Sequence, residues 1–333
     1  MKLPHPGVVV DRLIAGGFGF LLLTLCSCQT PGIEQGYPSR SLELIVPWED
    51  GSGARVGSTL SNALTNELGK PVDVVHRPSD NGIASHVALA QSLYDGYTLG
   101  ILTVEATMLH WTGITTVDLS HYSPIALIAI DPAVITVRGD ADWQGIHELI
   151  KTLESNPGTL IASGTYFGGI WDLERIGFLS ALNLTQSTLP WDPSPDTKTA
   201  LQKLLAGDID VAITSVSDVD SLRKTGHVRS LAVMANERLP SAPEIPTLME
   251  LGINYASAGS WMALAAPNNL PDARLELLRV AIWNISRQSD FRQSLADDGM
   301  HFRYITGSAL ESFLREEDFR NGTLLDQAGL ALE

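Results

Sequence analysis

The sequence predicts an α/β protein of two domains around one shared cleft, and three observations carry that prediction. Leu42, Leu44, Ile45 and Val46 make a short apolar strand that Pro47 ends, and Gly51-Ser52-Gly53 follows as a tight turn. Val56, Leu60, Ala63, Leu64 and Leu68 then recur at helical spacing before a second strand at Val72-Asp73-Val74-Val75. The same alternation returns further along the chain, which predicts parallel sheets with ligands at the strand C-terminal ends. Loops rich in glycine, serine or threonine fall at several such ends, at 51–53, 79–82, 163–169 and 214–217.

From the N-terminus, residues 1–28 read as an export signal. Lys2 and Arg12 supply positive charge, and Ile14 to Leu25 is an apolar and glycine stretch too short to span a bilayer as a helix. It runs into Leu25-Cys26-Ser27-Cys28, which resembles a bacterial lipobox. Cys28 fits the lipidated position better than Cys26, because the residue before the cut should be small. An ordinary cleaved signal with a chance cysteine is the alternative, and either one takes the mature protein out of the cytoplasm. Residues 29–36 (Gln-Thr-Pro-Gly-Ile-Glu-Gln-Gly) read as a polar tether.

Beyond the opening unit, His76 to Gly82 is a second loop off a strand end, and Ile83, Val87, Leu89, Ala90 and Leu93 mark a helix. Asp95-Gly96 turns into the strand Tyr97 to Leu102, and Pro124 to Val137 holds two apolar runs broken at Asp131-Pro132. A second set of units comprises a helix at Gly145 to Leu153, a strand at Thr159 to Ser163, a helix at Trp171 to Leu182 and a strand at Gln186 to Pro190. Then come a helix at Thr197 to Leu205 and strands at Asp208 to Ile213 and Arg229 to Met234. Gly259 to Pro267 is apolar enough for a buried strand. Helices at Asp272 to Ser286 and Phe291 to Leu295 follow, then the segment Gly299 to Ile305 and a terminal helix opened by Ser308 to Phe313 and capped by Gly307-Ser308.

Composition bounds the function. With 333 residues there is chain for two sizeable cores, and 44% hydrophobic with 18% charged residues is ordinary for a globular protein. A net charge of −16 argues against nucleic-acid binding, which needs a basic footprint. Any anionic ligand must therefore be held by local amides and a few placed donors. The two cysteines both lie near the N-terminus, so the body has no disulfide framework or cysteine metal site. The eight histidines are scattered, with no zinc spacing. No cofactor is expected. A dinucleotide fold is weakened by Val56, which stands where the third glycine of that fingerprint belongs, and by export.

The segments together resemble the substrate-binding proteins of tripartite tricarboxylate transporters, the Bug family of periplasmic solute receptors. The resemblance runs from Tyr37 to the C-terminus. It is carried by Tyr37-Pro38-Ser39-Arg40, Ile45-Val46-Pro47-Trp48, Arg77-Pro78, Asp95-Gly96-Tyr97-Thr98-Leu99 and Asn156-Pro157-Gly158-Thr159-Leu160. Leu189-Pro190-Trp191, Leu204 to Asp210, Leu231-Ala232-Val233, Ile245 to Gly252 and Ser260-Trp261 continue it. The order and spacing of these segments, rather than any one of them, make the match.

The resemblance implies a two-lobed, type II-like periplasmic-binding-protein fold: two sheets flanked by helices, with the ligand cleft between lobes. Lobe 1 would take residues 37–136 and 258–333, lobe 2 residues 137–257, with a hinge near 135–139 and 255–260. It implies capture of a small organic acid without catalysis, by a monomer anchored through Cys28 at the periplasm or cell surface, for a membrane permease or sensor. Two alternatives stand beside it: a surface interaction protein that no longer binds a solute, and a hydrolytic enzyme using Ser163 with His86, or Asp80 and Asp192.

Family sites use amides and hydroxyls from the loop after the first strand, the loop after Arg77-Pro78, and the glycine-serine loop of the second lobe. Here those positions are Gly51, Ser52 and Gly53; Ser79, Asp80 and Asn81; and Ser163, Gly164, Thr165 and Tyr166, with Ser215 as a further donor. Arg55 stands where the family has Asp, and its fork suits a carboxylate, although pairing with Glu49 or Asp50 is an equal reading. Trp48, Tyr166, Phe167 and Trp191 would wall a pocket, or pack the core. The loops depart from the family pattern, so the family's ligands do not transfer.

Overall fold

A computed structural model describes residues 36–79 and 82–332. The export signal, Cys26, Cys28, nearly all of the tether, Asp80 and Asn81 lie outside the described residues.

The larger sheet forms around β1 (Leu42–Val46), with β2 (Val72–His76) and β3 (Thr98–Thr103) parallel to it on either side. Its order is completed by β9 (Ser260–Pro267), β4 (Tyr122–Asp131) and β10 (His301–Thr306), as β10-β4-β9-β3-β1-β2. These last three join antiparallel. The smaller sheet has the order β6-β7-β5-β8, from β6 (Ala162–Ser163), β7 (Val211–Ser215), β5 (Ala133–Arg138) and β8 (Val228–Val233). Only its β6–β7 pair is parallel. Both sheets are mixed, so the expectation of parallel sheets holds for the five strands β1, β2, β3, β6 and β7 but not for the rest.

Helix α1 (Gly51–Leu68) follows from the spacing of Val56, Leu60 and Leu64, all buried against the sheet. Gly57 lets the helix approach β1, because a Cβ there would lie 2.7 Å from Val46. Gly69, at φ 63°, ends it by donating to the Thr65 carbonyl. Helices α7 (Asp272–Ser286) and α8 (Ser289–Asp297) cover the same face with Leu278, Ile282, Phe291 and Leu295. On the other face lie α2 (Ile83–Ala90) and the terminal α9 (Gly307–Gln327), whose Leu310, Leu314 and Leu325 run into one core with α3 (Ile146–Ser155) and α4 (Ile170–Ala181) of the smaller sheet. Helices α5 (Thr197–Ala206) and α6 (Val216–Lys224) close the far face of that sheet.

Several expectations need correction. The cap of α9 is Thr306, not Gly307-Ser308. Residues 186–190 make a short 3-10 turn and a single bridge at Trp191 rather than a strand. The strand expected at 159–163 shrinks to Ala162–Ser163, because the amide of Ile161 is taken by the Asp210 side chain at 2.8 Å. The chain leaves the larger sheet at Asp131-Pro132, so β5 already belongs to the smaller sheet, and the expected hinge at 135–139 falls inside it. The return crossing ends at Gly259, which bridges to Asp131 at φ 63°. A Cβ on Gly259 would lie 2.2 Å from the Asp131 carbonyl oxygen, so the two crossings touch where only glycine fits.

A buried charge network ties the sheets together at this point. Glu174 on α4 is fully buried and accepts from Tyr255 (3.0 Å), Ser257 (2.7 Å) and Arg320 of α9 (3.0 Å). Arg320 also donates to Glu317 (3.0 Å), which accepts from the Trp261 indole at 3.2 Å. The facing carboxylates outweigh burial and hold the Arg320 pKa above its ordinary value.

Candidate functional site

At the strand ends facing the smaller sheet lies a cavity of about 1350 Å³. Ser52 and Arg55 of α1 line it, together with Ser217 and Asp218 of α6, Ser257 of the return crossing and Asp298 after α8. The two sheets therefore do contribute to one space.

Its anion-receptive end is the first turn of α1. Gly51 takes φ 80° at the first helical position, and the Asp50 side chain makes no cap bond, so the helix's N-cap residue leaves the first-turn amides free. Gly53 is buried under the Trp48 ring, 2.5 Å from where a Cβ would sit, which assigns Trp48 to packing over the turn. Arg55 pairs with Asp298 rather than with Glu49 or Asp50, because the end of α8 abuts the start of α1. Its side chain stays 63% exposed.

The other expected residues are placed differently. Ser79 is exposed and accepts from the Ala84 amide at 2.9 Å, capping α2. Ser163 is fully buried, with its hydroxyl 2.9 Å from that of Ser194. Gly164 is packed so that a Cβ would lie 2.3 Å from the Ile213 carbonyl. The Thr165 carbonyl accepts from the Trp191 indole at 3.2 Å and from the Ser194 amide at 3.0 Å, which fixes the 163–165 loop to the smaller sheet. Tyr166 is half-buried; burial first, then the facing charge of Glu105, raises its hydroxyl pKa. Since Glu105 follows β3 of the larger sheet, Tyr166 is where this loop looks across to the other side. Ser215 caps α6 by accepting from the Asp218 amide at 3.1 Å, and Asp218 accepts in return from the Ser215 amide at 3.3 Å. Of the expected residues, Ser52 and Arg55 line the cavity, and Ser215 sits one residue from its wall.

Among the described residues, those suggested for catalysis are otherwise engaged. The Ser163 hydroxyl meets Ser194, while Nε2 of His86 lies 3.3 Å from the Thr103 amide and hydroxyl. Burial pushes His86 down to about 4, so its imidazole is neutral at pH 7. Asp192 pairs with Lys203 at 2.8 Å.

Sequence reasoning missed three acids of this region. Glu105 is held by the Thr103 hydroxyl at 2.5 Å, and burial raises its pKa. Asp218 and Asp131 are likewise raised, by burial first and, for Asp131, next by the charge of Asp218. A signal for two of them was present: Ser215-Val216-Ser217-Asp218 has capping-box spacing, and Asp131 interrupts two buried apolar runs.

Comparison with known proteins agrees with this architecture. The sequence profile of the family described as "Tripartite tricarboxylate transporter family receptor" matches residues 56–330. A UPF0065 protein of Bordetella pertussis is 27% identical over 297 residues, covering 88% of this chain and 91% of its own. The protein BugT of the same organism is 25% identical over 308 residues, covering 89% and 92%. Among solved structures, a TctC solute-binding protein from Polaromonas superposes with a TM-score of 0.78 at 26% identity, over 87% of this chain and 99% of its own. MatC from Rhodopseudomonas palustris with bound malate (TM-score 0.69, 22% identity, 86% and 99% covered) shares the fold. So does another R. palustris protein with adipate (0.72, 20%, 89% and 99%). On the breadth of that match, the chain belongs to the tripartite tricarboxylate transporter receptor family and has the two-sheet fold of periplasmic solute-binding proteins.

Proposed function

We propose that the protein is an exported receptor that captures a small carboxylate between its two halves and passes it to a membrane permease or reports it to a sensor. The observation that carries this reading is the first turn of α1, whose N-cap residue Asp50 makes no side-chain cap bond and whose Ser52 and Arg55 line the cavity. Oriented amides at a helix N-terminus favour an anion even where the net charge is −16. The malate and adipate held by two proteins of the same fold support a carboxylate.

In this account the amides of Gly51, Ser52 and Gly53 take the carboxylate, and Arg55 swings from Asp298 to join them. Tyr166 and Ser215 face the closed cleft from the other half, while Trp48 packs over the first turn and Ser163, Gly164, Thr165 and Trp191 hold the 163–166 loop in place behind it. The halves are residues 36–131 with 260–332, and 133–258. The first boundary moves from residue 136 to Pro132, where the chain changes sheets. Closure is a population shift between two arrangements, and the receptor performs no catalysis. Export through residues 1–28, lipidation at Cys28 and a monomeric state complete the reading.

The test is native mass spectrometry of the purified protein for a co-purified acid, then thermal unfolding with a panel of mono-, di- and tricarboxylates. One acid at a hundred times its Kd stabilises by about 2.7 kcal/mol. Arg55→Ala then weakens that acid about tenfold, the loss of one charge-assisted contact. No co-purified acid and no shift from any carboxylate would remove the reading. A hit insensitive to Arg55→Ala keeps the receptor and removes that arginine's role.

A further inference from the structure

Gly299 lies just past the end of α8 in the left-handed region, at φ 79°, and donates to the Ala296 carbonyl at 3.0 Å. A helix end of this kind accounts for a glycine by itself. Gly69, Gly226 and Gly329 take the same conformation at or just after other helices, with open space where a Cβ would sit. Gly299 differs from them. A Cβ there would lie 2.3 Å from the Cβ of Ser217 and 2.7 Å from its hydroxyl oxygen. Ser217 belongs to the first turn of α6, in the other half, and is otherwise exposed.

The contact sits beside the place where the chain changes sheets. His301, two residues beyond Gly299, pairs with Ile130 in the larger sheet. Ser215, two residues before Ser217, pairs with Ala133 in the smaller one. Gly299 and Ser217 therefore flank Asp131-Pro132 on the β10 side, as Gly259 flanks it on the β9 side. The two crossings are covalent, and this third touch is not. Both residues line the cavity, so a rotation that narrows it presses them together. Both are also held from behind: Asp298 pairs with Arg55 and Met300 donates to the Leu295 carbonyl at 2.9 Å, while the Ser217 hydroxyl lies 2.8 Å from that of Ser215. Farther along β10 the halves meet more loosely, with Ser241 3.5 Å from His301 and Glu237 3.8 Å from Arg303.

We propose that Gly299 and Ser217 form the stop that sets how far the two halves close, with Ser217 seated where Gly299 has no side chain. The inference rests on the receptor reading above and adds to it the contact that fixes the closed state. A stop so near the pivot has leverage, because a displacement of one methyl group there becomes a larger one at the outer ends of the halves. An obstruction leaves the cleft partly open, and apparent affinity falls with the fraction of molecules that still close.

The test is a double-mutant cycle on the purified protein, read by calorimetric titration and by small-angle X-ray scattering. The probe is the acid that stabilises the parent most in a panel of mono-, di- and tricarboxylates that includes malate and adipate. Gly299→Ala is expected to weaken that acid about tenfold and to raise the radius of gyration of the saturated protein. Adding Ser217→Gly should restore both, because the new Cβ then meets the Cα of residue 217 at 3.7 Å, an ordinary contact. The strain that alanine brings at φ 79° is common to the single and the double variant, so Tm should fall alike in both while affinity falls only in the single one. A single variant that binds and scatters like the parent overturns the stop. So does a loss that Ser217→Gly leaves unrescued, since it then comes from the turn alone. In both cases the parent still binds and the receptor stands. A parent that no acid of the panel stabilises removes the receptor reading, and the stop with it.

Discussion

At the scale of single residues, burial decides the chemistry of this protein more than residue type does. His86 looks in the sequence like a mobile base, yet it is 2% exposed and its pKa is pushed down to about 4. The unfolded chain takes up that proton near pH 6.5, whereas the folded chain refuses it until about 4. Stability therefore falls as pH drops through this window, by roughly 2 kcal/mol at pH 5 relative to pH 7.5 from this group alone. Urea unfolding at the two pH values should show a smaller difference in His86→Gln than in the parent; an unchanged difference would mean that the imidazole is protonated or solvated in the folded state. Gly259 makes a second residue-level case. With φ 63° and the Asp131 carbonyl 2.2 Å from any Cβ, Gly259→Ala should lose on the order of 3 kcal/mol, read from the urea midpoint. A neutral result would mean that the two crossings yield freely. Arg55 shows why such contacts escape the sequence: its partner Asp298 is 243 residues away, and only the packing of α8 against α1 brings them together.

At the scale of elements, the helices were the most legible parts. The 3.6-residue spacing of Val56, Leu60 and Leu64, and the start and end of α7 at Asp272 and Ser286, follow from local pattern and turn residues. Strand direction was not legible, because a buried apolar run such as 260–267 reads the same whether its neighbours run parallel or antiparallel. The smaller sheet's edge was overread for a different reason: residues 186–190 pack without laddering, and Arg175 on α4 takes the Gln186 and Leu189 carbonyls at 3.1 and 2.8 Å. The terminal helix carries the clearest consequence at this scale. Arg320 of α9 neutralises Glu174, which is fully buried on a helix of the other sheet. Arg320→Met should destabilise by about 3–5 kcal/mol, since it leaves a buried carboxylate unpaired, and adding Glu174→Gln should recover much of that loss. Additive losses in the double variant would show that the two groups do not act as a pair.

At the scale of the whole molecule, family and architecture were legible because many short segments keep their order over nearly the full chain, while the site was legible only in part. The sequence located the first turn of α1, where glycines and an uncapped helix start coincide, and the structure puts Ser52 and Arg55 on the cavity. It could not separate loops that face the cavity from loops, such as 163–165, whose polar atoms are spent within their own sheet. Nor could it find Asp131, whose position depends on the touching of two crossings far apart in the chain. In the proposed function those crossings, at Asp131-Pro132 and at Gly259, are where the halves rotate. Small-angle X-ray scattering of the purified protein, with and without a saturating amount of the acid that stabilises it most, measures that rotation. The account predicts a reproducible decrease in radius of gyration on binding, lost in parallel with affinity in Arg55→Ala. Saturable binding with unchanged scattering would contradict it, and would place the solute somewhere other than between the two halves.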